Sequence, residues 1–188
     1  MSHLTNTFAG QKQFMNILDK FQKIDTFMFD VDGVMTDGGI LVMQNEDMAR
    51  IMNTKDGYAL QLAVKKGYKI FIITGSSFSG VQRRMNNLGV KHVYFEVKDK
   101  KGYVIKLMQE YDLKKENILF MGDDLSDLPA FDVVSIGACP ADAVGEVISG
   151  ANYISNKEGG RGCVRDVIEK VMKCRGDWGV DETIASTI

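Results

Sequence analysis

The sequence predicts an α/β protein: a doubly wound parallel sheet with helices on both faces. Two observations predict it. Short apolar runs of strand length recur at residues 26–29, 68–73, 93–95, 118–121 and 133–136. Segments of helical period lie between them. Such an alternation of buried strand and helix is the pattern of a parallel sheet covered on both sides.

Phe14, Ile17, Leu18 and Phe21 recur at helical spacing, so a helix over about 8–23 precedes the first strand. Residues 40–43 and 48–52 flank Gln44-Asn45-Glu46-Asp47 and read as a hairpin over about 40–52. Asp56 can cap a helix that runs to about Lys66 and stops at Gly67. After the strand at 68–73, Ser76 or Ser77 can cap a helix ending near Leu88-Gly89. The strand at 93–95 leads to a helix over about 100–111, and the strands at 118–121 and 133–136 follow. Residues 141–149 and 164–173 have helical patterning, and about 175–188 reads as a tail. No repeat or low-complexity linker divides the chain, so the expectation is one domain over 1–188.

Composition excludes several function classes. The 188 residues are 45% apolar and 26% charged, as in soluble globular chains. A net charge of −2 offers nucleic acid or a membrane surface no global attraction. No apolar run approaches the ~20 residues that span a bilayer. Residues 1–10 lack the basic start and apolar stretch of a secretory signal, so the expected location is the cytoplasm. Cys139, Cys163 and Cys174 form no C-x-x-C pair and read as packing thiols, which suits a reducing compartment.

Right-handed crossovers place the carboxyl ends of all parallel strands on one edge, where open sheets bind ligands. The first strand delivers Asp30-Val31-Asp32-Gly33 to that edge, the second Thr74-Gly75, and the fourth Gly122-Asp123-Asp124 with Asp127 beyond; Lys100 follows the third. Carboxylates gathered this way repel one another unless a cation relieves them. An all-oxygen ligand set favours magnesium over zinc. Lys100 and the Thr74 hydroxyl add donors for phosphate oxygens. Phosphate monoesters hydrolyse so slowly unaided that acceleration can reach about 10²¹-fold, and positioned charge supplies most of it. Asp30, held at a strand end, can attack phosphorus as nucleophile, while Asp32, two residues on, can move protons to the leaving oxygen and from water. Gly33 permits the turn out of the strand. An EF-hand reading of the D-x-D-G run fails, because Gly33 and Val34 stand at its fourth and fifth positions. Taken singly, each motif reads as an ordinary acidic turn or solvated charge; their order, each after an apolar strand, carries the phosphatase reading.

Those residues, in that order, resemble the motifs of the haloacid dehalogenase superfamily. The resemblance implies Asp30 as nucleophile and Asp32 as acid and base. It implies Mg2+ held by Asp30, the Asp32 backbone carbonyl and Asp123, with Asp124 and Asp127 supporting from behind. The run Asp30 to Gly38, Asn53-x-x-Asp56-Gly57, Gly122-Asp-Asp-Leu-Ser-Asp127 and Gly159-Gly-Arg-Gly162 are similar to the capless branch of octulosonate-phosphate phosphatases, over about residues 23–173. About 25 residues separate Asp32 from the helix at Asp56, room for a hairpin but not a cap domain. The branch implies a homotetramer, joined through its hairpins, with each active site closed by a neighbouring subunit's tail, and a phosphorylated sugar acid as substrate. Gly75, Ser76, Asn53, Asp56 and Arg161 are the candidate substrate contacts. Many members carry Arg directly after Thr-Gly, where this chain has Ser76; Arg83, Arg84 and Arg161 are the cations that could replace it. A nonulosonate 9-phosphate, a broader sugar-phosphate range, or a non-catalytic tetrameric scaffold are the alternatives. Trp178 reads either as a cover for a neighbour's site or as an anchor for the tail.

Overall fold

The computed structural model describes residues 16–45, 48–77 and 79–184. In chain order, helix α1 (Ile17–Phe21) leads into strand β1 (Thr26–Phe29). An antiparallel ribbon of β2 (Leu41–Val42) and β3 (Met48–Ala49) follows, then α2 (Thr54–Lys65), β4 (Lys69–Ile73) and α3 (Ser79–Asn87). Next come β5 (His92–Tyr94), α4 (Lys100–Glu110), β6 (Ile118–Met121) and α5 (Leu128–Phe131). The last elements are β7 (Ile136–Cys139), α6 (Gly145–Gly150), β8 (Tyr153–Ile154) and α7 (Cys163–Arg175). Except for the ribbon, the strands form one six-stranded parallel sheet in the order β5-β4-β1-β6-β7-β8.

Alternate residues of each strand enter opposite cores, as the pleat requires. Phe27, Phe29, Ile70, Ile72, Leu119 and Met121 pack with α1, α2, α3 and α7 on one face. Met28, Phe71, Ile73, Ile118 and Phe120 pack with α4, α5 and α6 on the other. Both faces are covered, so this is the doubly wound, Rossmann-like α/β fold that the sequence predicts. From β1 the chain winds outward through β4 and β5, returns to β6 on the other side of β1, and winds outward again. The reversal puts the crevice between the carboxyl ends of β1 and β6, the location where open sheets take ligands.

Several boundaries differ from the sequence reading. The fifth strand of the sheet begins at Ile136, not at 133. Helix α5, with Pro129 in its first turn, ends at Phe131, and Val134 is buried in the turn that follows, so its apolar character reflects burial and not strand. The helix expected from 141 starts at Gly145, because 140–143 form a turn closed by Ala143 N–H to Pro140 O. Asn53, not Asp56, caps α2, accepting from Lys55 N–H at 2.9 Å. Helix α3 starts at Ser79, beyond Ser76 and Ser77. Strand β8, only two residues long, carries too short a pattern to read. The part of the expected first helix before Asn16, including Phe14, and residues 46–47 of the hairpin turn lie outside the described residues.

The described part of the tail, up to residue 184, packs on its own chain. Trp178 sits edge-on to Tyr58 with ring centroids 6.3 Å apart, and the Arg165 guanidinium lies 5.4 Å from the Trp178 ring. Asp177 accepts from the Tyr68 hydroxyl at 2.6 Å.

Asp56 has a structural position inside the fold. It is buried, and one of its oxygens accepts from Arg165 N–H at 2.7 Å while the other accepts nothing. Burial pushes its carboxyl up to about 6, against the opposing pull of Arg165. The folded protein therefore holds this proton more tightly than the unfolded chain does. The associated stability is present below about pH 4 and lost as pH rises through about 6, amounting to about 3 kcal/mol. Asp56→Asn should remove that decline, so that urea midpoints of parent and variant diverge between pH 4 and 7. Parallel curves would refute the assignment.

Candidate active site

Each chemical group extends a strand of the sheet. Asp30 follows β1 directly, and its N–H donates to Met121 O at 3.0 Å, continuing the ladder. Thr74 follows β4 and donates to Tyr94 O at 3.0 Å; Gly122 follows β6 and donates to Ala138 O at 3.1 Å. Lys100 opens α4, whose cap is Asp99. Together they border a cleft of about 510 Å³, lined also by Asp32, Gly75, Ser76, Asp123 and Asp124.

Glycine makes the close packing possible. Gly33 has φ +84°, and a Cβ there would lie 1.9 Å from Asp123 Oδ2. The Thr36 hydroxyl ties the loop internally, accepting from Gly33 and Gly38 N–H and donating to Val31 O, all at 3.3 Å. Behind it lies the 159–162 motif. A Cβ on Gly159 would come within 2.0 Å of Gly33 O, and Gly160 N–H donates to Val34 O at 2.9 Å. That motif therefore holds the Asp30 loop by backbone contact.

The carboxylates are crowded. Among the described residues, Asp30, Asp123 and Asp127 bring oxygens within 4.8 Å of one another. Asp127 is fully buried and its oxygens are engaged: Oδ1 accepts from Lys100 Nζ at 2.5 Å, and Oδ2 from the N–H groups of Asp123 and Asp124 at 3.2 and 3.3 Å. Lys100 Nζ also lies 3.0 Å from Asp30 Oδ1, an ion pair without an aligned hydrogen bond. Burial, then the charge of Asp127, pushes the Asp30 carboxyl up to about 7, with Lys100 opposing. Burial and the charges of Asp127 and Asp30 likewise raise Asp123 to about 7. Burial would depress Lys100, but Asp30 and Asp127 outweigh it and hold its pKa above the ordinary lysine value.

Two buried oxygens, Asp30 Oδ1 and Asp123 Oδ1, accept no hydrogen bond. Asp123 Oδ1 has no partner and Asp30 Oδ1 has only the Lys100 ion pair; crowded carboxylate oxygens of this kind fit a hard divalent cation. Asp30 and Asp123 would hold it, with Asp127 and Lys100 setting the charge behind them.

Of the expected substrate contacts, Gly75 and Ser76 line the cleft; Asn53, Asp56 and Arg161 do not. Asn53 donates from its side chain to Gly160 O at 3.2 Å, bracing the glycine motif. Arg161 is exposed and pairs with Asp37 at 3.3 Å. Arg84 packs over Gly57 of α2, outside the cleft. Residues unmarked by the motifs do take part. Lys98 and Ser126 line the cleft, and Arg50 binds Asp32 from the hairpin. A basic residue beside the apolar Met48–Ala49 strand is a faint signal, and periodicity cannot reveal its reach.

The class follows from this arrangement: an aspartate-lined cleft at the switch point of a Rossmann-like sheet is that of a haloacid dehalogenase-like hydrolase, and the model of that family matches residues 54–133. The 3-deoxy-D-manno-octulosonate 8-phosphate phosphatase KdsC of Salmonella typhi is 32% identical over 161 residues, covering 86% of each chain. The chain belongs to this hydrolase family, in the branch that such phosphatases represent, and is a phosphatase. The crystal structure of the Yersinia pestis phosphatase superposes with a TM-score of 0.84 at 29% identity, over 86% of this chain and 87% of that one. The Moraxella catarrhalis phosphatase, solved in complex with magnesium ion, phosphate ion and KDO, gives 0.83 at 30% identity, over 86% and 92%.

A divalent cation requires Asp30 and Asp123 ionised, so binding displaces protons held near pH 7. Cation affinity should therefore rise from pH 6 to 8, by up to about tenfold per unit for each proton displaced. Titration calorimetry of magnesium at pH 6.5 in two buffers of different ionisation enthalpy should report proton release. Equal heats would contradict the raised carboxyls.

Proposed function

We propose that the chain, acting as a single domain, is a magnesium-dependent phosphomonoester hydrolase that forms an aspartyl-phosphate on Asp30. Its substrate is a phosphorylated keto-deoxy sugar acid such as 3-deoxy-D-manno-octulosonate 8-phosphate, an intermediate class of lipopolysaccharide synthesis. The observation that carries the reading is the ion-paired cluster of Asp30, Lys100, Asp127 and Asp123 beside Thr74 at the mouth of one crevice. Magnesium, held by Asp30, Asp123 and the Asp32 carbonyl, supplies charge neutralisation at the phosphoryl oxygens. The Asp30 carboxylate attacks phosphorus. Asp32 protonates the leaving oxygen, then takes a proton from the water that releases phosphate. Lys100 and the Thr74 hydroxyl hold the transferring oxygens.

Ser76 supports a second reading. Its hydroxyl donates to Asp32 Oδ2 at 2.6 Å, so this position does not offer the sugar a cation. A broader set of sugar phosphates, neutral ones included, would suit such a site.

Assembly is part of the proposal. Leu41, Val42, Met48 and Ile51 on the hairpin are 65%, 67%, 50% and 78% exposed. A two-stranded ribbon with bare apolar side chains is marginal by itself and is stabilised when copies cover it. A cytoplasmic homotetramer whose subunits close one another's clefts fits these exposures.

Asp30→Asn should lower phosphate release by at least about a thousandfold with the fold intact by circular dichroism. A fully active variant would remove Asp30 from the chemistry. A phosphate-release screen over sugar phosphates should rank keto-deoxy acid phosphates first, and a neutral sugar phosphate in that place would favour the second reading. Sedimentation at micromolar concentration should give a tetramer; a strict monomer would undo the closure by neighbours.

A further inference from the structure

We infer that Arg50 is a positioning residue for the proton-transferring carboxylate of Asp32, delivered to the cleft by the hairpin. The inference rests on the proposed role of Asp32. Arg50 Nε lies 2.5 Å from Asp32 Oδ1, and Nη2 lies 3.3 Å from Oδ2. A guanidinium engaging both oxygens sets the rotation of a carboxylate as well as its place. The Ser76 hydroxyl adds a bond to Oδ2 at 2.6 Å from the opposite strand end. Asp32 is thus gripped from two separate elements.

Burial assigns the direction of action. The Arg50 side chain is 5% exposed and Asp32 is 27% exposed. Asp32 lines the cleft and Arg50 does not. Arg50 therefore reaches substrate only through Asp32. The residue follows β3 directly, in a ribbon whose two strands pair over two residues each. A ladder so short orders itself poorly, and the Arg50–Asp32 pair joins it to the nucleophile loop. Docking of the hairpin and alignment of the acid/base are then one event.

The chemistry that depends on this alignment is specific. In the first half-reaction the Asp32 carboxyl gives its proton to the leaving oxygen as the P–O bond to the alcohol breaks. In the second, the Asp32 carboxylate takes a proton from the water that attacks the aspartyl-phosphate. A p-nitrophenolate leaving group needs no proton, so its first turnover bypasses the first of these roles and meets the second only afterwards.

The test uses the full chain with magnesium and p-nitrophenyl phosphate, in rapid-mix and steady-state measurements. Arg50→Gln should lower steady-state kcat by at least about tenfold and KM in proportion, while kcat/KM and the first-turnover release of nitrophenolate change by less than about threefold. Arg50→Lys should recover only part of kcat, because an ammonium restores charge but not the fork. Unchanged kcat in Arg50→Gln overturns the proposal. Equal losses in the first turnover and the steady state overturn it too, since they mark general collapse of the site. Full recovery by lysine overturns the fork as the operative feature. Should Arg50→Gln fail to fold, the same split is read in Ser76→Ala and Arg50→Lys, and its absence from both overturns the proposal. Failure of the underlying reading looks different: the parent enzyme, acid-quenched after radiolabelled substrate, would then carry no label on Asp30.

Discussion

Asp30, Asp123 and Asp127 place carboxylate oxygens within 4.8 Å of one another at the carboxyl edge of a buried sheet, and Lys100 is set between two of them. This concentration of like charge is the constraint on which the other features depend. In water such groups would move apart; here β1 and β6 are hydrogen-bonded neighbours and cannot. Asp127 is satisfied by a lysine and two backbone N–H groups, whereas Asp30 Oδ1 has only the Lys100 ion pair and Asp123 Oδ1 has no partner. The fold thus stores an electrostatic strain at the point where a cation would relieve it and so admit an anionic phosphoryl group.

Holding that deficit in place requires backbone approaching closer than side chains allow. Gly33 leaves room for the Asp123 carboxylate, and Gly122 for Asp127. Gly159 and Gly160 bring the segment before α7 against the Asp30 loop. Thr36 closes that loop on itself. Cys163 packs under it, its Sγ 3.1 Å from Val34 O. The glycine motif acts as a buttress, while its Arg161 points its charge at Asp37 on the surface.

The hairpin has two sides to its role. Its apolar residues are exposed, as a surface for other copies of the chain would be, and its Arg50 reaches Asp32. Both features sit on one short ribbon that has little stability of its own. Whatever orders the ribbon also orders the groups around Asp32.

By itself the sequence determined the fold class and which polar groups gather at one edge of the sheet. Buried parallel strands are apolar throughout, and the polar group that follows each strand stands out against that background, as Asp30, Thr74 and Asp123 do. Local pattern also placed β1 and β6 at their observed limits, since both are bounded by sharp changes of polarity. Tertiary structure decided the rest. Val134 is apolar because neighbours bury it, so strand β7 was displaced by three residues in the sequence reading. Asn53 and Asp56 belong to a shared motif, but their partners, Gly160 and Arg165, are more than a hundred positions away, and only folding shows that they brace the site. Arg50 and Ser76 meet at Asp32 from two elements with no common period. Periodicity reports which face a residue occupies; it carries no information about which distant side chain it will meet there.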